Sequence, residues 1–238
     1  MKKRLVVLTG AGISVDSGFS TFRDAGGLWE KYSVEEICTV EGWMRDPVKV
    51  NTFYNGLRHQ LVAARPNHGH EVLAAMEEDY DVRIVTQNVD DLHERAGSSS
   101  VLHLHGELLK VCSSRDKDNP RCIKTLPADH LDVESGEKAA DGSLLRPWIV
   151  FFGESVPNLE VAAREVAAAD VFVIIGTSLN VYPAAGLIHY APAACPVYLI
   201  DPKEVSVPGG RDVHVIQETA TAGVDTLRRI LHPNSQDE

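Results

Sequence analysis

Leu5-Val6-Val7-Leu8-Thr9-Gly10-Ala11-Gly12-Ile13-Ser14-Val15-Asp16-Ser17-Gly18 is the stretch whose reading decides the fold. Its unbroken aliphatic run, 5–8, is what a parallel strand buried on both faces requires. The run feeds directly into Gly10-Ala11-Gly12. Glycines there let the backbone approach a pyrophosphate, and the N-terminus of the next helix supplies N–H donors. A tight strand–helix turn with no ligand would use the same glycines. The dehydrogenase fingerprint needs a third small residue at position 15, which Val15 fills, and no hydride-transfer constellation is visible elsewhere.

Outward from that loop, strand-like runs recur at 82–86, 101–104, 148–152, Val171–Ile175 and Val197–Ile200. Helical patterns lie between them. Val50, Phe53, Tyr54, Leu57 and Leu61 share one helix face. Further helices are expected over 67–78, 158–169 and Ala220–Leu231. Alternating strands and helices predict an α/β fold, a doubly wound, Rossmann-like parallel sheet. Residues 24–65 hold helices with no strand, and residues 113–145 form a polar excursion of the kind used for lids and subdomains. The expected division is a Rossmann-like part over about 1–27, 66–106 and 147–238, with a small domain inserted over about 28–65 and 107–146. The active site is expected in a cleft between them.

Composition narrows the function classes. The 238 residues are 44% hydrophobic with a formal net charge of −11, which argues against nucleic acid as a partner and tolerates cationic peptides. Cys38, Cys112, Cys122 and Cys195 are too scattered for a disulfide framework. After Met-Lys-Lys-Arg only about five apolar residues precede Gly10, too few for a secretory signal, and no later run approaches a membrane span. A cytoplasmic protein with no membrane partner is the expectation.

The glycine loop, continued to Phe22-Arg23-Asp24, resembles the opening signature of the sirtuins. Four further segments match that family in order: Thr86-Gln87-Asn88-Val89-Asp90-Asp91-Leu92-His93, His103-Leu104-His105-Gly106, Phe151-Phe152-Gly153-Glu154 and Gly176-Thr177-Ser178-Leu179. Together they span roughly residues 5–231. The resemblance implies an NAD-dependent protein-lysine deacylase. In such enzymes the acyl oxygen of the substrate attacks the ribose carbon of NAD, a histidine deprotonates a ribose hydroxyl, and the acyl group passes to ADP-ribose. NAD is thus a co-substrate, and the partners are acylated lysines of proteins; a monomer is expected.

Carried over residue by residue, the resemblance makes His105 the general base, a role suited to an imidazole that titrates near neutrality. Period-two alternation puts Val101, His103 and His105 on one strand face, so His103 shares its direction. A core histidine would look the same in isolation. Asn88 and Asp90 join His105 as catalytic residues that position the ribose and the nicotinamide amide. Gln, Asn and Asp after a strand are also ordinary turn formers. Gly10, Ala11, Gly12, Ile13, Ser14, Gln87 and Val89 are expected at the cofactor. Phe22 covers the nicotinamide-leaving side, and Arg23 reaches the phosphates. Gly176, Thr177, Ser178, Asp201 and Ala220 are expected around the adenosine half. The backbone of Phe152, Gly153 and Glu154 pairs with the substrate peptide as an added strand, near Val181.

Three departures from the family stand out. Most sirtuins bind a structural zinc through two Cys-x-x-Cys pairs, whereas Cys112 and Cys122 here stand alone, with Ser113-Ser114-Arg115 where a partner would be. His130 and a carboxylate would have to complete the set, so zinc is expected to be absent. The Ala25-Gly26-Gly27-Leu28-Trp29 and Phe53-Tyr54-Asn55 segments resemble the desuccinylase-type branch, which pairs a tyrosine with an arginine three residues on. Here Leu57 holds that position, and Arg58 is rotated by about 100° around the helix. Ala25, Tyr54 and Leu57 then leave an apolar pocket suited to acetyl or longer aliphatic groups, unless Tyr54 and Leu57 are simply core residues. Thirdly, Leu199 replaces an Asn that contacts the adenosine ribose in many relatives. Competing readings are an NADase or ADP-ribosyltransferase on the same fold, or a catalytically idle NAD or ADP-ribose binding module.

Overall fold

The structure, a computed structural model, describes residues 2–18, 33–207 and 211–232. Phe22, Arg23 and Ala25 therefore lie outside the described residues. In chain order the strands are β1 (Arg4–Thr9), β2 (Asp81–Thr86), β3 (Val101–His103), β4 (Gly106–Ser113), β5 (Lys124–Thr125), β6 (Leu145–Ile149), β7 (Val171–Ile175), β8 (Val197–Ile200) and β9 (His214–Ile216). The α-helices are α1 (Val34–Ile37), α2 (Val40–Arg45), α3 (Pro47–Ala63), α4 (His68–Ala75), α5 (Leu92–Ala96), α6 (Leu159–Ala167) and α7 (Ala220–Leu231). Among the described residues, no helix is long and apolar enough to cross a membrane.

Two compact units emerge. The first comprises residues 2–18, 66–104 and 156–232 where described. Its sheet runs β3-β2-β1-β7-β8-β9, with every pair parallel. Successive residues of β1 alternate between two apolar layers. Val6 and Leu8 pack with Ala162 and Val166 of α6. Leu5 and Val7 pack with Val72 and Leu73 of α4 and with Val224 and Leu227 of α7. A strand buried on both faces needs the continuous aliphatic run of 5–8, and the strand order reverses beside β1, where β7 continues the sheet outward. Open α/β sheets bind ligands beyond the carboxyl ends of their strands at such a switch point.

The second unit comprises residues 33–65 and 105–155. Here β4 lies between β5 and β6, antiparallel to both. The helix α3 starts at Pro47 with Asp46 accepting from the Lys49 N–H at 2.9 Å, and it buries Val50, Phe53, Tyr54, Leu57, Arg58 and Leu61. Asn51 Nδ2 donates to Leu145 O at 3.1 Å and Asn55 Nδ2 to Val133 O at 3.1 Å, fixing the helix to the chain around it.

The strand expected over 148–152 requires correction. It starts earlier, at Leu145, and belongs to the antiparallel sheet, where β6 pairs with β4. Residues 147–155 and His105-Gly106 accordingly group with the second unit rather than the Rossmann-like part. The physical reason is that an apolar run looks alike in either sheet; hydrogen-bond partners decide, and Val150 N donates to His105 O at 2.9 Å. A further difference follows β1, where the helix after the glycines is a seven-residue 3-10 helix, Ala11–Ser17, ending at Gly18 with φ 87°.

Candidate active site

In the first unit, the loops that leave β1 and β7 meet backbone to backbone. Gly10 N donates to Ile175 O at 3.0 Å and Gly12 N to Gly176 O at 2.9 Å. A Cβ on Gly12 would lie 2.5 Å from Gly176 Cα, and one on Gly176, whose φ is 61°, would lie 2.6 Å from Ile13 N. Only glycine permits this contact, so the floor at the switch point carries no side chains. Asn67, the N-cap of α4, braces the loop by donating through Nδ2 to Ile13 O at 2.7 Å and Ser17 Oγ at 2.9 Å.

A connected polar network lies beside that floor. Thr9 Oγ1 donates to Thr86 Oγ1 at 2.8 Å, and Thr86 Oγ1 accepts from the Asn88 N–H at 3.0 Å. Asn88 Nδ2 donates to Gly10 O at 3.1 Å and Ser14 Oγ at 3.2 Å, and Ser14 Oγ donates to Asp90 Oδ2 at 3.0 Å. Asp90 Oδ1 accepts from the Leu92 N–H at 3.2 Å. Burial raises the Asp90 carboxyl above the usual range, opposed by the Leu92 N–H, the Ser14 hydroxyl and the charge of His103. Gln87 Nε2 donates to Thr177 Oγ1 at 3.0 Å, tying the β2 loop to the β7 loop. The residues fit a dinucleotide: a glycine floor a Cβ would fill and an Asn/Asp pair locked in place.

The remaining candidates of this unit lie in loops and helices that follow strands of the same sheet. Ile13 and Ser14 are buried, Ala11 and Val89 half-buried, and Ser178 is exposed. Ala220 is buried at the start of α7, where Thr221 Oγ1 donates to Asp16 Oδ2 at 2.8 Å. Asp201, after β8, accepts from the Lys203 N–H at 2.9 Å. Val181 is half-buried, and its carbonyl accepts from Ala185 N at 2.9 Å.

The strand β3 ends at His103 and a bend follows, so alternation does not carry to residue 105. His103 is buried, with Nδ1 3.0 Å from Asn88 O and Nε2 2.7 Å from Glu94 Oε1. A carbonyl only accepts, so Nδ1 carries a proton and donates, holding the Asn88 backbone in place. Sequence reasoning missed this bracing role of His103, Glu94, Thr9 and Thr86, although the first histidine of the His-x-His-Gly segment was a visible signal.

In the second unit, His105 is half-buried in the bend before β4. Gly106, at φ 85°, follows because any Cβ there would collide with Trp148 O. The same segment of chain carries Phe151 to Glu154. Phe152 N donates to Cys38 O at 2.8 Å, and its side chain is 43% exposed. Glu154 turns inward onto Arg146, at 2.7 Å. Tyr54 and Leu57 are buried core residues. Burial pushes the Tyr54 phenol well up, and the adjacent Cys38 adds to this. The Arg58 guanidinium, fully buried, donates through Nε to Leu108 O at 2.9 Å and through Nη1 to Asn55 Oδ1 at 2.7 Å and Leu131 O at 3.4 Å.

Cys112 and Cys122, the cysteines named as zinc candidates, are both buried. Cys112 Sγ donates to Pro147 O at 3.7 Å, and burial pushes its thiol up to about 12. Cys122 packs among Val111, Leu126, Val133, Ala139 and Leu145. Ser113 takes a bridging role instead: its Oγ donates to Asp141 Oδ2 at 2.6 Å and accepts from the N–H groups of Arg115 and Asp116. Among the described residues, no group of three or more His, Cys, Asp or Glu is placed to hold a metal ion.

A doubly wound sheet with a glycine floor and a locked Asn/Asp pair at its switch point defines a dinucleotide-using α/β enzyme. The sequence profile of the Sir2 family matches residues 10–183, and the chain belongs to that family. An NAD-dependent protein deacylase of Bacteroides thetaiotaomicron is 59% identical over 231 residues, covering 97% of this chain and 99% of the relative. One of Helicobacter pylori strain J99 is 47% identical over 236 residues, covering 99% and 98%. A solved structure of a mutant Sir2 homologue in complex with ADP-ribose aligns with a TM-score of 0.86 and 36% identity, covering all of this chain and 95% of that one.

Proposed function

We infer that this chain is an NAD-dependent protein deacylase in which His105 is the general base and the acyl group removed from lysine is acetyl or a longer aliphatic chain. The activity rests on membership of the Sir2 family and on the 59% identity to a protein deacylase over nearly the full length of both. NAD supplies a ribose whose bond to nicotinamide breaks; one water is consumed as the acyl group passes from lysine to that ribose, and the products are nicotinamide, O-acyl-ADP-ribose and the free amine. Gly10, Gly12 and Gly176 give the phosphates a floor without side chains. Asn88 and Asp90 orient the ribose and the amide; the observation that carries this role is their shared lock on Ser14 Oγ, which leaves neither side chain free to rotate. His105 accepts the ribose hydroxyl proton.

The acyl preference is supported by charge. An acidic acyl chain needs a cation, and the Arg58 guanidinium is already engaged by three oxygens, while Leu57 stands at the position where the desuccinylase-type branch has arginine. Absence of zinc is supported by the apolar burial of Cys122 and by the Ser113–Asp141 link. A monomer without nucleic-acid partners is the reading most in keeping with a net charge of −11.

The test is nicotinamide release by the purified protein with NAD and acetyl-, succinyl- or long-chain acyl-lysine peptides. Acetyl or aliphatic peptides are expected to drive turnover. Succinyl preference would overturn the pocket reading. Release without any acyl peptide would favour the NADase, and NAD binding without release would leave a binding module.

A further inference from the structure

The strand β6 reads Leu145-Arg146-Pro147-Trp148-Ile149, with one charge in an apolar run. A buried guanidinium is tolerated only when matched in charge and in hydrogen bonds. Arg146 is 4% exposed, and among the described residues the matching carboxylate is that of Glu154. The pair is two-pronged: Nη1 donates to Glu154 Oε1 at 2.7 Å and Nη2 to Oε2 at 3.0 Å. The guanidinium carbon also lies 3.9 Å from the centre of the Phe151 ring and 5.9 Å from that of Trp43.

What distinguishes this pair from a simple core brace is where its remaining bonds go. Arg146 Nη2 donates to Ile149 O at 2.8 Å, and Glu154 Oε2 accepts from the Phe151 N–H at 2.8 Å. Both ends of the stretch 149–154 are therefore held by one ion pair. Between those ends, Val150 N donates to the carbonyl of His105, and Phe152 is bonded to Cys38 and Val40. Glu154 N closes the turn on Phe151 O at 3.0 Å, with Gly153 at φ 93°.

We propose that Arg146 and Glu154 are positioning residues that hold the turn carrying Gly153, the edge where flanking substrate backbone docks, and that they act on that backbone rather than on the acyl group. This rests on the deacylase reading, in which that edge pairs with the substrate peptide. Glu154 thus serves through its carboxylate from behind the edge.

The test uses Glu154→Ala and Glu154→Gln in the full chain, with two substrates: an acetyl-lysine peptide with flanking residues, and acetyl-lysine methylamide with none. Glu154→Ala is expected to raise the peptide KM about tenfold, and Glu154→Gln, which keeps an acceptor for Phe151 N, about threefold. The KM for the methylamide, the KM for NAD and kcat should stay within about twofold, since none of the lost bonds reaches them directly. An equal rise for both substrates, or an unmoved peptide KM in a folded variant, would overturn the proposal. Should Glu154→Ala fail to fold, Glu154→Gln decides alone. Anisotropy of a labelled acetyl-lysine peptide is read in parallel. A wild type that binds peptide without turnover, and loses that binding on Glu154→Ala, would sink the deacylase reading and leave the docking role standing. A wild type that does not bind peptide at all would overturn both.

Discussion

Buried polar groups are disposed differently in the two units. In the parallel-sheet unit they gather at the carboxyl ends of β1 and β2, where Thr9, Thr86, Asn88, Ser14 and Asp90 bond to one another. In the antiparallel unit they are cations threaded through the core, with Arg58 and Arg146 donating to backbone carbonyls of distant segments. The difference follows from how each core is built. Aliphatic strands buried on both faces, such as β1 and β7, stabilise the first unit without polar help, so its polar side chains can be gathered at a ligand site. The second unit has a three-stranded sheet with irregular connections, and its carbonyls find partners in long, forked side chains.

That contrast can be broken by mutation. Removing a brace should damage the second unit most: Arg58→Leu leaves the carbonyls of Leu108 and Leu131 unpaired and should cost about 4 kcal/mol, read as a shift in the urea midpoint. A mere surface role would shift it by less than about 0.5 kcal/mol. Next in size, Gly176→Ala should weaken NAD binding by about 100-fold, because the new Cβ pushes the β7 loop off Gly12 and a displacement of this kind misplaces the ligand. Calorimetric titration of a folded variant that retained NAD affinity would show that the floor has some other purpose.

Acid sharpens the comparison more gently. In the first unit His70 is buried, and burial lowers its ring from the ordinary 6.5 to about 4, so the folded state keeps it neutral. The unfolded chain binds that proton first; the stability is therefore fully present above about pH 6.5 and drains away as pH falls toward 4, by about 2 kcal/mol at pH 5. In the second unit, bonds from Ser113 and Ser143 lower the Asp141 carboxyl to about 2. Its contribution is present above 3.8, the ordinary value, and is lost only as pH falls through 2. Acid unfolding followed by amide exchange should accordingly loosen α4 before the Ser113–Ser143 link. The reverse order would contradict the assignment.

Much of the first unit was legible in sequence. The run 5–8 and the glycines after it specify a buried parallel strand and a close loop contact, because few other residues satisfy both. The 3-10 form of Ala11–Ser17 was not legible, nor was β9, which is three residues long and largely exposed. The strand at 148–152 was assigned to the wrong sheet because aliphatic content carries no information on strand partners. Alternation was not a guide to His105 because the strand ends at His103 and a bend follows over 104–105. Arg58 was expected to point away from the acyl position; its guanidinium donates to Leu108 O, Asn55 Oδ1 and Leu131 O. The Arg146–Glu154 pair escaped notice although a lone arginine in an apolar strand is itself a signal that a carboxylate must be near.

The most direct measurement compares His105→Ala with the unaltered chain, using NAD and an acetyl-lysine peptide, and reads nicotinamide released per enzyme alongside NAD affinity. If the imidazole removes the ribose proton, turnover falls by about 100-fold or more while NAD affinity changes by less than about threefold. Undiminished turnover in the alanine variant would contradict the account.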